Sequence, residues 1–157
     1  MENYKTIETA MDDFRLLGAC VCYIRPMDMV PMLEDLGFEI GNNLVIHTGL
    51  KEKLSPEEFA AIYAHEEGHI YYGHMKSMAE ELGSEKPDRM MLSMNQEWEY
   101  QADEYAAKKC GAANMISALF PTVEWLAAGV DEDEQEWALE YGYEFITERV
   151  NRLEALL

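Results

Sequence analysis

Three of the four histidines in this chain fall within ten positions, in "AHEEGHIYYGH", Ala64 to His74. His65 and His69 are four apart, and a carboxylate, Glu66, directly follows the first. On a helix, residues four apart stand on one face a turn from each other, so two imidazoles at this spacing can grip one ion. Glu66 is rotated by about 100° from His65, near enough to reach a water on that ion. The pattern His-Glu-x-x-His is the one in which two histidines hold zinc and the glutamate serves as general base in hydrolysis. The plainer alternative is an acidic helix with surface histidines.

A catalytic zinc takes three protein ligands and keeps one position open for water. His74 falls out of register with a third ligand on the same segment. It is expected at the helix end, partly exposed and favourable against the dipole, or behind the ligands or at the substrate. The third ligand is sought in "NQEWEYQADEYA", where Glu99 and Asp103 are again four apart. Glu99 can complete the zinc shell, while Asp103 can accept the outer N–H of a ligand histidine and fix its tautomer. Glu97 and Glu104 are rivals for the same place, and a solvated acidic face is the competing reading. Trp98, Tyr100 and Ala102, interleaved with the acids, favour an embedded helix.

These residues need elements to position them. In "LSPEEFAAIYAHEEGHIYYGH", Ser55 can cap a helix, Pro56 suits its first position and Glu58 completes a capping box. That helix should run from Pro56 to about Gly73, with Phe59, Ile62, Tyr63 and Ile70 as its apolar stripe. A second long helix is expected from a cap at Asp88 through Glu99 to Gly111. A third lies in "NMISALFPTVEWLAAG", kinked near Pro121, and a fourth in "DEDEQEWALEYGYEFITERVNRLEALL", interrupted at Gly142. Upstream, "TIETAMDDFRLLG" reads as a helix on Ile7, Met11, Phe14 and Leu17. "ACVCYIR" reads as a strand stopped at Pro26, and "FEIGNNLVIHTG" as two short strands around a Gly-Asn-Asn turn. Strands in front and helices behind give an α+β class: a short mixed sheet at the N-terminal side packed on the active-site helix, then a mostly helical half. At 157 residues the chain fits one domain, residues 1–157.

Composition narrows the partners. Hydrophobic residues make up 48% and aromatics 11%, enough for a folded core. With 31 acidic against 12 basic residues, the net charge is −19. Such a surface repels phosphate backbones and anionic lipid, which argues against nucleic acid and membrane surfaces as partners. No apolar run is long enough to span a bilayer, and the acidic start lacks the apolar core of a secretory signal. The odd set Cys20, Cys22 and Cys110 points to reduced thiols in a cytoplasmic protein, with Cys20 and Cys22 as packing residues on one face of a strand.

The segments "NNLVIHTGL", "LSPEEFAAIYAHEEGHI" and "EYQADEYAAKKCG" resemble the gluzincin metallopeptidases of the HtpX and CAAX-prenyl-protease family. The resemblance implies a zincin-like domain with one catalytic Zn2+ held by His65, His69 and Glu99. It also implies Glu66 as general base and Asp103 as the orienting acid. The closing "ITERVNRLEAL" is similar to the family's last helix, so Arg149 matches an arginine near the substrate there. Some features depart from the family. The membrane helices of its best-known members are absent, Glu67 replaces an apolar residue, and Gln96 stands where an arginine often precedes the third ligand. The His-Pro pair before the last helix is missing, and Tyr143 occupies roughly that place.

The expectation is therefore a soluble zinc-dependent endopeptidase acting on peptides or unfolded protein. Zinc and one of His74, Tyr143 or Arg149 would stabilise the oxyanion. "NNLVIHT" is expected to receive the substrate as an added strand, with His47 a structural or rim residue. The segment spacing also resembles the ImmA/IrrE-like regulatory peptidases, which cleave a repressor. A third reading is a non-catalytic binding domain on the zincin scaffold, disfavoured because a structural site needs no base at Glu66. An oxidative di-metal bundle would need Glu-x-x-His on two helices, and only Glu66–His69 supplies one.

Overall fold

The computed structural model describes residues 3–15, 18–82 and 96–157. Strands β1 (Tyr4–Thr9), β2 (Ala19–Ile24) and β3 (Gly41–His47) form a sheet in the order β1-β3-β2. β1 runs parallel and β2 antiparallel to β3, so the sheet is mixed, as the α+β reading requires. The opening segment is not the expected helix: it is β1, followed by a single 3-10 turn at Asp12–Phe14. Tyr4, Thr6, Ile7 and Thr9 are aromatic or β-branched, and such side chains suit a pleated surface better than a helix. Ile7 lies opposite Val45 and is buried with Ile24 and Phe38 on the outer face of the sheet.

"GNNLVIH" is also one strand, not two around a turn. Asn43 Oδ1 accepts from the Glu39 N–H at 2.9 Å, and its Nδ2 donates to Glu39 O at 2.8 Å and Gly41 O at 3.1 Å. The turn-forming residues thus brace the bend before the strand, with Gly41 at φ 108°, and do not reverse the chain. β3 is bonded on both edges and covered on both faces, which is why it reads as an unbroken apolar run. Cys20 and Cys22 share the outer face of β2, with their sulfurs 3.8 Å apart, and all three cysteines are free thiols.

The helices are α1 (Pro31–Asp35), α2 (Thr48–Lys53), α3 (Pro56–Tyr71), α4 (His74–Leu82), α5 (Gln96–Cys110), α6 (Ala112–Ala128) and α7 (Glu132–Glu154). α3 begins as its sequence dictates. Ser55 Oγ accepts from the Glu58 N–H at 3.1 Å, while Glu58 Oε1 accepts from the Ser55 N–H at 2.9 Å. The expected cap at Asp88 lies outside the described residues. Pro121 sits inside α6. α7 runs through Gly142 without the expected interruption. One glycine costs a helix about 1 kcal/mol, less than the burial of Ile146 and Leu153 returns.

α3 is the central element. On one side Ile70 packs with Val21, Leu44 and Ile46 of the sheet. On the other, Ala61, Ile62 and Ala64 join Met115, Leu119 and Ile146. A helix covered on both sides holds its polar residues out of bulk water. α5 crosses α3 at Gly68, where an added Cβ would stand 3.0 Å from Ala102 Cα and 3.1 Å from Tyr105 Cβ. That close approach brings Glu99 and Asp103 to the histidines. Among the described residues, no helix is long and apolar enough to cross a membrane.

Candidate metal centre

His65 and His69 project from one face of α3, with their Nε2 atoms 3.2 Å apart. From α5, Glu99 Oε2 lies 3.0 Å from His65 Nε2, and its Oε1 lies 3.4 Å from His69 Nε2. A tetrahedral zinc with bonds of 2.0–2.2 Å separates neighbouring ligand atoms by about 3.3 Å. Each histidine nitrogen faces its own oxygen of the Glu99 carboxylate, and one ligand atom from each of the three residues lies within 4.8 Å of the others, so two imidazoles and a carboxylate converge as a donor set of the kind zinc takes. The rivals point elsewhere: Glu97 reaches Arg152 at 3.7 Å and Glu104 reaches Lys108 at 3.0 Å, both on the exposed side of α5.

Asp103, one turn on from Glu99, is the hub behind the site. It stands 2.8 Å from His65 Nδ1 and accepts from Arg149 Nε at 2.8 Å and Nη2 at 2.7 Å. Burial works against the Asp103 charge, but the Arg149 guanidinium and His65 outweigh it and hold the carboxyl below its usual range. Asp103 can only accept, so His65 carries a proton on Nδ1 and turns Nε2 toward Glu99. Burial likewise opposes a charge on His65, yet Asp103 and Glu99 at its two nitrogens raise its pKa to about 10. For Glu99, burial is again overcome by the two imidazoles, and its carboxyl lies well below the ordinary value.

Glu66 is buried beside His65 and His69. Burial pushes its carboxyl up, more than the nearby histidines lower it. A carboxylate poised nearer neutrality is suited to taking and returning a proton. Glu66 lines a cavity of about 190 Å3 with His65, Glu99 and Arg149, against an apolar wall that includes Leu119 and Val123 of α6.

Residues 36–87 match the family model of Peptidase family M48. The match covers about a third of the chain, taking in β3, α2, α3 and α4, and supports a zinc metallopeptidase family. It includes His65, Glu66 and His69. Glu99, Asp103 and Arg149 lie beyond the matched residues, and the fold joins them to that segment. No curated protein and no solved structure matches the chain significantly.

His74, the last histidine of the matched residues, is buried and not partly exposed, the first of the places expected of it. It is 3% exposed and opens α4, so a helix N-terminus, not a C-terminus, lies beside it. Its ring stacks on Trp98 at 4.8 Å and 5°. Its Nδ1 stands 2.9 Å from His69 Nδ1 and its Nε2 2.7 Å from Gln101 Oε1. Burial lowers its pKa to about 4, so the ring is neutral near pH 7. It sits behind His69, outside the cavity. Tyr143 is not brought to the cavity either: its hydroxyl donates to Glu124 at 3.4 Å and its ring packs near Phe120. Of the three oxyanion candidates, Arg149 alone is among the cavity's lining residues.

His47 caps α2 through Nδ1, which accepts from the Gly49 N–H at 3.0 Å, and it packs on Trp125, the structural place expected of it. Glu67, the departure from an apolar position, accepts from Tyr4 Oη at 2.8 Å and Lys109 Nζ at 2.9 Å, so its charge is partnered. Gln101 was invisible to sequence reasoning. Its side chain reaches the site through His74, which belongs to a different helix at a spacing no single periodicity relates.

Proposed function

We propose that this chain is a zinc-dependent endopeptidase of the gluzincin type, akin to the HtpX and CAAX-prenyl-protease group, with one ion held by His65, His69 and Glu99. The observation that supports it most is the convergence of two Nε2 atoms, 3.2 Å apart, on the Glu99 carboxylate beside a cavity that Glu66 and Arg149 also line. When bound, zinc supplies the Lewis acidity that polarises a water and the scissile carbonyl. Glu66, on the cavity wall, would accept a proton from an attacking water and return it to the leaving amine. Arg149, half-buried and tied to Asp103, lines the same cavity and offers a fixed positive charge to a carbonyl oxygen that gains negative charge there. Asp103 holds His65 in the tautomer that leaves Nε2 free.

The substrate does not add to β3, because both of its edges are already paired. β2 is the edge on the cavity side, since Ala19 lines the cavity. The His47 N–H donates to Gly18 O at 2.7 Å, which makes Gly18 and His47 a bonded pair of the antiparallel ladder. By alternation, Ala19, Val21 and Tyr23 direct their backbone groups away from β3. An extended peptide, or a stretch of unfolded protein, is the ligand such an edge accepts.

Glu66→Gln separates this reading from a binding domain. The variant should retain one zinc per chain and lose at least about a hundredfold in the rate of cleaving an unstructured protein, followed by product mass. Cleavage at the parental rate would overturn the mechanism, and a zinc-loaded parent inert on every unfolded substrate would leave a non-catalytic domain.

A further inference from the structure

A metal-binding imidazole must offer a lone pair, and for His69 that requires the proton to sit on Nδ1 so that Nε2 is bare. His65 has Asp103, an acceptor by chemistry alone. His69 has another histidine, and the two rings meet Nδ1 to Nδ1 at 2.9 Å, a contact that one proton can bridge and two would break. Which ring carries it is decided by whatever holds the far nitrogen of His74.

That group is Gln101, whose Oε1 lies 2.7 Å from His74 Nε2. A carbonyl oxygen only accepts, so Nε2 of His74 carries the hydrogen. A His69 that binds through Nε2 keeps its proton on Nδ1, so the one proton of the contact belongs to His69 and His74 Nδ1 accepts it. Turning the Gln101 amide over would reverse every step. The NH2 would donate to His74 Nε2, His74 Nδ1–H would donate to His69, and the His69 proton would move to Nε2, where His65 and Glu99 converge. The ring of His74 has no freedom to escape the choice, being packed between Tyr72 at 5.5 Å and Trp98 at 4.8 Å, nearly parallel to both.

We propose that Gln101 is a positioning residue for the metal site: its side-chain carbonyl fixes His74 as the Nε2–H tautomer and thereby makes His69 a ligand through Nε2. The inference rests on the zinc reading above, but it makes its own statement about hydrogen positions, whether or not the ion is bound. Gln101 lies two residues beyond Glu99 on α5, so the helix that supplies the third ligand also sets the second one.

The test uses the full chain and two neutral-to-conservative changes. Nitrogen-15 NMR of the histidine rings, recorded with and without zinc, should show His74 as the Nε2–H tautomer in both states. Zinc affinity by chelator competition should fall tenfold or more in Gln101→Met, which keeps the bulk and removes the acceptor, and should stay within about threefold in Gln101→Glu, which keeps it. A merely structural glutamine would change melting temperature in Gln101→Met without moving the tautomer or the rescue by glutamate. His74 protonated on Nδ1, or parental affinity in folded Gln101→Met, would overturn the proposal. A parent that binds no zinc would defeat the functional reading instead, and the NMR of the metal-free protein would still decide the tautomer.

Discussion

Gly68→Ala is the sharpest perturbation of the helix crossing that builds the site. Alanine in a helix interior is worth about 1 kcal/mol over glycine, so an unconstrained α3 would gain stability. Here the new methyl would meet Ala102 Cα at 3.0 Å and Ala102 O at 3.3 Å, backbone atoms that cannot rotate away. Restoring an ordinary contact requires α5 to withdraw by about 0.5 Å, and overpacking of this kind costs about 1–3 kcal/mol. The two terms nearly offset, leaving a net loss of about 0–2 kcal/mol. Metal binding has no such offset. A displacement of about 0.5 Å in Glu99 exceeds the roughly 0.2 Å that a zinc–ligand bond tolerates, so affinity should drop tenfold or more. Chelator competition for zinc, beside thermal melts of the metal-free protein, reads both quantities. A variant that melts higher by the full helical gain and binds zinc like the parent would show that α5 does not press on this glycine.

Two further outcomes follow from the charges around the ligands. Asp103→Asn strips the half-buried Arg149 of its counter-charge and should destabilise the metal-free protein by about 3 kcal/mol or more in urea unfolding, well beyond an ordinary surface change. His65, with a pKa near 10 in the metal-free protein, is protonated at pH 8. Zinc binding there should therefore expel about one proton, seen as a buffer-dependent heat in calorimetry, and a heat independent of buffer would contradict it. The same raised value makes the metal-free protein less stable as pH climbs. The contribution of protonated His65 is complete below its unfolded value of about 6.5 and gone above about 10, which melts in chelator across that window will test.

How far the residues themselves announced this arrangement depends on how local the determining forces are. The start of α3 was legible because Ser55, Pro56 and Glu58 act on their own helix, and the histidine pair because its spacing is a property of that helix. The four-residue relation of Glu99 to Asp103 is likewise local to one helix, and α5 turns both toward the histidines while Glu97 and Glu104 pair with Arg152 and Lys108 on its exposed side. β1 was misread because a weak helical stripe competes with strand pairing to β3, a partner 38 positions away in register. The Gly-Asn-Asn signal was real, but Asn43 spends its side chain on the loop before it. His74 and Gln101 were out of reach: α3 ends between His69 and His74, and the glutamine arrives from another helix. That β3 is the central strand and β2 an edge was not legible, because strand order is a tertiary fact that a run of apolar residues does not contain.

The central claim is that imidazoles from α3 and a carboxylate from α5 enclose one ion. A crystal grown with zinc and recorded above and below its absorption edge would test it directly. The account predicts a single anomalous peak within about 2.0–2.2 Å of His65 Nε2, His69 Nε2 and a Glu99 oxygen. A peak lodged instead among the exposed carboxylates, with Glu99 turned away from both rings, would contradict it.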